Sequence, residues 1–244
     1  MPKYIIAIGG GEITNNDTIS IDKTILALSE NEKKHILFLP TASYDSISYA
    51  EAIVKYFGKF NCIVNTLFLT KNTYSDDYLK QAILETDIIY VGGGDTAYMM
   101  EIWRKYKIDQ LLMQAYNKGV ILSGLSAGAI CWALSGHSDS QSFHSDKWSY
   151  SKVNGLGLIP TIICPHYNEK GRENFDIMLQ QENSSGIALE NKTALLKKDN
   201  LFKILKEDFS CKAYWLCCSI NGNISKTEIG STWFRLDGNN LVYL

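Results

Sequence analysis

Short β-branched runs alternating with amphipathic stretches narrow the fold of this chain more than any other feature. Tyr4–Ile8, His35–Leu39 and the segments 63–69, 87–91 and 120–123 read as strands, each closed by Gly, Pro, Thr or Asn. Between them, Asp17 or Thr18 can cap a helix with Ile21, Ile25 and Leu28 on one face. Ser43 or Asp45 can cap a second carrying Ala52, Ile53, Tyr56 and Phe57. Ser75-Asp76-Asp77 opens a third, and 96–113 reads as one or two more. Continuously apolar strands in such an alternation imply an α/β protein with a mostly parallel sheet covered on both faces. Segments 158–167, 186–189, 193–197, 213–217 and 232–236 turn β-rich and are expected to add antiparallel edge strands to that sheet. Residues 1–244 are expected to form a single domain with this β-rich edge.

Right-handed crossovers place the functional loops at the carboxyl ends of the strands. Three loops stand out there: Gly9-Gly10-Gly11, Gly92-Gly93-Gly94-Asp95 and the turn around Ser126. The stretch 135–151, rich in Ser, His, Asp and Trp, reads as a long surface loop just downstream of Ser126.

The sequence is 45% hydrophobic and 20% charged with a net charge of −2, the balance of a soluble globular protein. Basic residues do not cluster, so neither nucleic acid nor an anionic membrane is an expected partner. MPKYIIAIGGGE enters a strand directly, with an apolar run too short for a signal peptide or a transmembrane helix, which points to the cytoplasm. The six cysteines sit mostly in apolar or strand-like contexts and read as free thiols. No CxxC is present and the histidines lack ligand spacing, so neither a metal nor a cofactor is expected. Monomer and homodimer both stay open.

The segment ILSGLSAGAICWA carries the chemistry. Gly124-x-Ser126-x-Gly128 matches the nucleophile-elbow pattern, in which a sharp strand-to-helix turn presents the serine hydroxyl clear of the sheet. The helix that follows aims its amides at the same place. Such spacing also arises from ordinary turn chemistry. The neighbouring Gly92-Gly93-Gly94 loop can offer N–H groups to an oxyanion, with Asp95 free to act as an N-cap. A serine nucleophile needs a base, and His166 is the candidate: it follows the apolar run Ile162-Ile163-Cys164-Pro165, which delivers it to the sheet edge. Asp139 is the first choice for the carboxylate behind the histidine, with Asp146 and Glu169 as competitors.

Together, YVGGGDT, GLSAGAICW, CPHY and KGRE resemble the S51 serine peptidases, a family that includes aspartyl dipeptidase and, more distantly, cyanophycinase. The resemblance spans roughly residues 4 to 196 in order. It implies a flavodoxin-like three-layer sandwich related to class I glutamine amidotransferases. It further implies Ser126 as nucleophile, His166 as general base and an acid from the intervening loop, which favours Asp139. The oxyanion donors would be the N–H groups of Gly94 and Ala127. Where the family often carries Asn after the triple glycine this chain has Asp95, a candidate substrate contact. The substrate expected by resemblance is a short peptide, with an N-terminal aspartate accepted by aspartyl dipeptidase. Such a side chain calls for a fixed cation, and Arg172 is the candidate clamp. A related amidase or esterase, and a small-molecule binding module that keeps the fold without turnover, are the alternatives.

Overall fold

Period-two burial decides how the first half of the chain is layered. The computed structural model describes residues 2–145 and 148–244. Strands β1 (Tyr4–Ile8), β2 (His35–Leu39), β3 (Ile63–Thr66), β4 (Ile88–Val91) and β5 (Ile121–Leu125) pair in parallel in the order β1-β5-β4-β2-β3. Ile6 and Ile8 of β1 face one way, onto helices α1 (Ile19–Ala27) and α2 (Ile47–Gly58) through Ile21, Ile25, Ile53 and Phe57. Ile5 and Ala7 face the other way, into a cluster with α3 (Asp76–Leu84), α4 (Thr96–Lys105) and α5 (Ile108–Lys118). Side chains that alternate across a strand make both faces apolar here, so the sheet needs cover on each.

The tail departs from expectation. Of the later strands, β10 (Thr193–Lys198), β11 (Leu201–Lys206), β14 (Phe234–Asp237) and β15 (Asn240–Tyr243) do extend the first sheet, β10 lying antiparallel to β1. A second, six-stranded sheet is built from β6 (Ala133–Ser138), β7 (Ser151–Asn154), β8 (Ile159–Cys164), β9 (Ser185–Leu189), β12 (Ala213–Cys218) and β13 (Ile224–Glu228), in the order β13-β12-β9-β8-β6-β7. Residues 135–138 of the stretch 135–151, whose composition reads as loop, belong to β6, and β7 begins at its last residue. Ser135, His137 and Ser138 are buried because β6 is paired on both sides, by β7 and β8, and ladder pairing overrides local propensity. Ile163, Ile187 and Leu189 of this sheet join the cluster that contains Ile5 and Ala7, while its outer face packs on α7 (Phe175–Gln181) through Phe175 and Leu179.

Trp103 of α4 sits at the centre of the larger cluster. It is fully buried, its ring lies 6.2 Å from that of Trp132, and its Nε1–H donates to Thr41 Oγ1 at 3.2 Å. Trp103→Ala leaves both a void and an orphaned hydroxyl, and is expected to cost about 3–5 kcal/mol. A urea midpoint within error of wild type would refute this.

Among the described residues no helix is long and apolar enough to cross a membrane. The six cysteines are free thiols.

Candidate active site

The chain leaves β5 through Ser126, which takes φ 58° and ψ −109°, and enters the short helix α6 (Ala127–Ile130) at once. A β-carbon-bearing residue in that region costs on the order of 1–3 kcal/mol and persists only where the surroundings over-determine it. Close backbone approach supplies the constraint: a Cβ at Gly128 would fall 2.3 Å from the Val91 carbonyl oxygen, so only glycine lets α6 seat against β4. Ser126 N–H donates to the Ile8 carbonyl at 3.0 Å, tying the turn to the end of β1.

His166 arrives at the same strand end from the second sheet. Its N–H donates to the Gly9 carbonyl at 2.8 Å, one residue along from the carbonyl that holds Ser126. His166 is itself at φ 54°, a second non-glycine residue in the left-handed region. No direct hydrogen bond joins Ser126 and His166, a contact that commonly tightens only when substrate is bound.

Behind the imidazole the arrangement differs from expectation. Nδ1 lies 2.7 Å from Asn191 Oδ1 and 3.1 Å from Glu169 Oε1, and Asn191 Nδ2 donates to the same Glu169 oxygen at 2.9 Å. The hydrogen bond to His166 and a second from Asn191 bring the Glu169 carboxyl down to about 2, so it is ionised. Asp139, the first choice from the sequence, lies elsewhere: its carboxylate sits 3.4 Å from the Arg172 guanidinium. Asp146 falls outside the described residues. The carboxylate at the histidine is therefore the one three residues downstream, because the chain turns straight after His166 and Glu169 N–H donates to the His166 carbonyl at 2.8 Å. Asn191 was missed by sequence reasoning; the only available signal was its place just after β9, at the same sheet edge.

Two candidate substrate contacts are otherwise engaged. Arg172 is 3% exposed, stacked 4.6 Å over the Tyr150 ring, and donates to the His137 carbonyl at 2.9 Å. Walled in this way, it ties the 139–150 loop to the segment that follows His166. Asp95 is completely buried and accepts from Tyr98 N–H at 3.1 Å, Tyr44 Oη at 2.8 Å and His144 Nε2 at 2.7 Å. These hydrogen bonds outweigh its burial and hold its carboxyl below the usual range. The N-cap role expected for Asp95 is the one it performs. His137, also buried, is kept neutral by desolvation and by Arg172, its pKa pushed down to about 3, which removes it as a base.

Of the expected oxyanion donors, Ala127 follows the serine directly and Gly94 follows the glycine packed against it. A Cβ at Gly93 would lie 3.4 Å from Ser126 Cβ, which sets the glycine loop against the serine. Neither Gly94 nor Ala127 N–H has an acceptor among the described residues. A cavity of about 610 Å3 opens beside His166, lined by Gly11, Glu12, Glu169, Asn191 and Lys192, a size that suits a small ligand. A second, of about 580 Å3, lies at the amino ends of the strands, where Tyr4, Asp87 and Ile121 line it.

A strained serine at a strand-to-helix turn and a histidine backed by a carboxylate meet at one sheet edge of this α/β protein. The chain belongs to peptidase family S51, whose model matches residues 5–205. It is 36% identical over 217 residues to the uncharacterised peptidase YgaJ of Bacillus subtilis (strain 168), covering 87% of this chain and 91% of that protein. Peptidase E of Shewanella denitrificans is 29% identical over 144 residues, 59% of this chain and 58% of that one. A crystal structure of a peptidase from an acI-B1 Actinobacterium superposes with a TM-score of 0.68 at 20% identity, covering 97% of this chain and 98% of that one, a likeness of fold.

Proposed function

We propose that this peptidase is a serine hydrolase of short peptides, with Ser126 as nucleophile, His166 as general base, and Glu169 with Asn191 orienting the imidazole. The backbone of Ser126 carries the reading: a serine held at φ 58°, ψ −109° between a buried strand and a helix serves attack better than packing. As Ser126 Oγ bonds to the scissile carbonyl carbon, His166 Nε2 takes its proton and the carbonyl oxygen gains the charge. The amides of Gly94 and Ala127 receive that oxyanion. Collapse breaks the C–N bond, the proton passes from His166 to the leaving amine, and a water repeats the sequence to free the acyl group. Glu169 and Asn191 select the tautomer that leaves Nε2 free and stabilise the imidazolium.

We read the fold as flavodoxin-like, since the parallel order β3-β2-β4-β5 follows the 2-1-3-4 pattern with β1 in the fifth place. The kinship with class I glutamine amidotransferases rests on the sequence resemblance. One apolar cluster runs through both sheets, which supports residues 1–244 as one unit. Six free thiols agree with a cytoplasmic home.

The test is labelling by a fluorophosphonate, mapped to Ser126, alongside hydrolysis of a dipeptide panel. Labelling without peptide cleavage would favour a related amidase or esterase; neither would favour a binding module. Gly10 gives a second check. A Cβ there would fall 1.9 Å from Asn191 Oδ1 and 2.4 Å from His166 Nδ1, so Gly10→Ala must displace the base. Misplacement of this order is expected to lower kcat/KM about 100-fold while the far-ultraviolet spectrum stays unchanged.

A further inference from the structure

Three aromatic rings from separate parts of the chain converge beside the glycine loop, and the reaction above leaves them without a role. Tyr44 follows the 3-10 turn after β2, Tyr98 lies in the first turn of α4, and Phe143 ends the 3-10 turn of the 139–150 loop. The Tyr44 and Tyr98 centroids are 4.5 Å apart, and Phe143 lies 6.5 Å from Tyr44. Tyr44 is 39% exposed and Phe143 49%. Tyr44 and Asp45 occupy the left-handed region in succession, at φ 54° and 55°, a conformation that non-glycine residues adopt only when held. The holding groups are visible. The Tyr44 hydroxyl donates to the buried Asp95 carboxylate at 2.8 Å, and Asp95 N–H donates to the Ala42 carbonyl at 2.8 Å. The backbone turn and its hydroxyl anchor thus fix the ring while leaving part of the side chain open to solvent.

Among the described residues, the ionic groups at this edge are already engaged. His144 Nε2 is bound to Asp95, Lys71 Nζ donates to the Asp45 carbonyl, and the Asp45 carboxylate accepts from Thr70. Burial and the Asp95 carboxylate push the Tyr44 phenol up to about 12, so it stays neutral under any ordinary assay. What the site presents here is apolar ring surface.

Its place relative to the serine assigns the part of the substrate it meets. In the sheet order β10-β1-β5-β4-β2, Ser126 ends β5 and His166 stands at the end of β1. Tyr44 and Tyr98 lie on the opposite flank, after β2 and β4, and Phe143 reaches Tyr44 from the loop after β6. The base must face the leaving amine to protonate it, so the opposite flank meets the acyl side. We propose that the faces of Tyr44, Tyr98 and Phe143 form the subsite for the side chain on the acyl side of the scissile bond, and that this peptidase prefers an apolar or aromatic residue there over aspartate. The proposal rests on Ser126 acting as nucleophile. It accords with Arg172 being committed to Tyr150, His137 and Asp139 rather than facing a substrate carboxylate.

The experiment compares Phe-Leu, Leu-Leu, Ala-Leu and Asp-Leu with wild type, Tyr44→Ala, Tyr44→Phe and Phe143→Ala, each also labelled with the fluorophosphonate. Wild type is expected to favour Phe-Leu over Asp-Leu by at least about 10-fold in kcat/KM, the scale on which apolar pockets discriminate. Tyr44→Ala should lower the ratio of Phe-Leu to Ala-Leu by about 10-fold, whereas Tyr44→Phe, which keeps the ring, should preserve it. Phe143→Ala, on an exposed turn, supplies the same ratio if Tyr44→Ala does not fold. An equal loss on every peptide, an unchanged ratio or a preference for Asp-Leu, with Ser126 still labelled, overturns the subsite and leaves the serine hydrolase standing. Absence of both labelling and cleavage in wild type overturns the hydrolase reading and the subsite with it.

Discussion

Ser126→Ala is expected to lower kcat/KM on any cleaved peptide by about 10,000-fold or more and to abolish fluorophosphonate labelling. The size follows from the proposed role: without Oγ no acyl bond forms, and only the oxyanion binding proposed for Gly94 and Ala127 remains to assist a water. The fold should tolerate the change, because the strained backbone at position 126 is imposed by Gly128 against Val91 and by the bond to the Ile8 carbonyl, not by the hydroxyl. An unchanged melting temperature would separate lost chemistry from lost structure. Residual activity within about 10-fold of wild type would remove Ser126 from the mechanism and return the serine to a packing role.

The second large effect concerns stability and lies outside the site. Asp22 of α1 is fully buried, and although Tyr56 Oη and Thr18 Oγ1 each donate to it at 2.8 Å, its Oδ1 has no partner among the described residues. Burial pushes its carboxyl up to about 7. With the folded pKa above the unfolded one, the folded state binds more protons between about pH 4 and 7. The stability contributed by neutral Asp22 is thus complete below pH 4 and is lost as the pH rises towards 7. The full swing is on the order of 4 kcal/mol. Buried His137 acts with the opposite sign between about 3 and 6.5, adding stability as the pH rises, so the wild-type profile is flattened. Asp22→Asn keeps the shape and removes one titration. Relative to wild type it is expected to gain stability steadily from pH 4 to 7 and to hold that gain at pH 8. Urea unfolding at four pH values reads the difference, and a constant offset between the two proteins would show that Asp22 titrates as it does in the unfolded chain.

How much of this was legible beforehand depended on the range of the interaction. The first five strands, the capping of α3 by Ser75 and the turn at Ser126 rest on local periodicity and on close backbone contacts that demand glycine, whereas α2 is capped by Ser46 and not by Ser43 or Asp45. The helix placed after Asp17 or Thr18 and the one after Ser43 or Asp45 were legible to within a few residues. The same holds for the arrival of His166 at the sheet edge, because an apolar strand ended by proline has few other destinations. Family membership lay in the motifs, since those motifs are the local chemistry.

What lay beyond the sequence was decided by pairs far apart in it. Composition marked 135–151 as a loop, yet its first four residues are strand because β7 and β8 pair with β6 on either edge. Asp139 had the better sequence argument for the acid, but the fold hands it to Arg172 and gives His166 to Glu169 and Asn191, 25 residues downstream of the histidine. Asp95 and Arg172 carried the right charges for a substrate, but a polar group with an intramolecular partner in a buried place is not free to bind one. The sequence by itself determined the five parallel strands, the strand-to-helix turn at Ser126 and the place of His166 at the sheet edge, because local backbone geometry and hydrophobic period act over a few residues. Only the tertiary structure decided which carboxylate meets the base and which charges stay free, because desolvation forces each buried polar group to the nearest partner that the packing supplies.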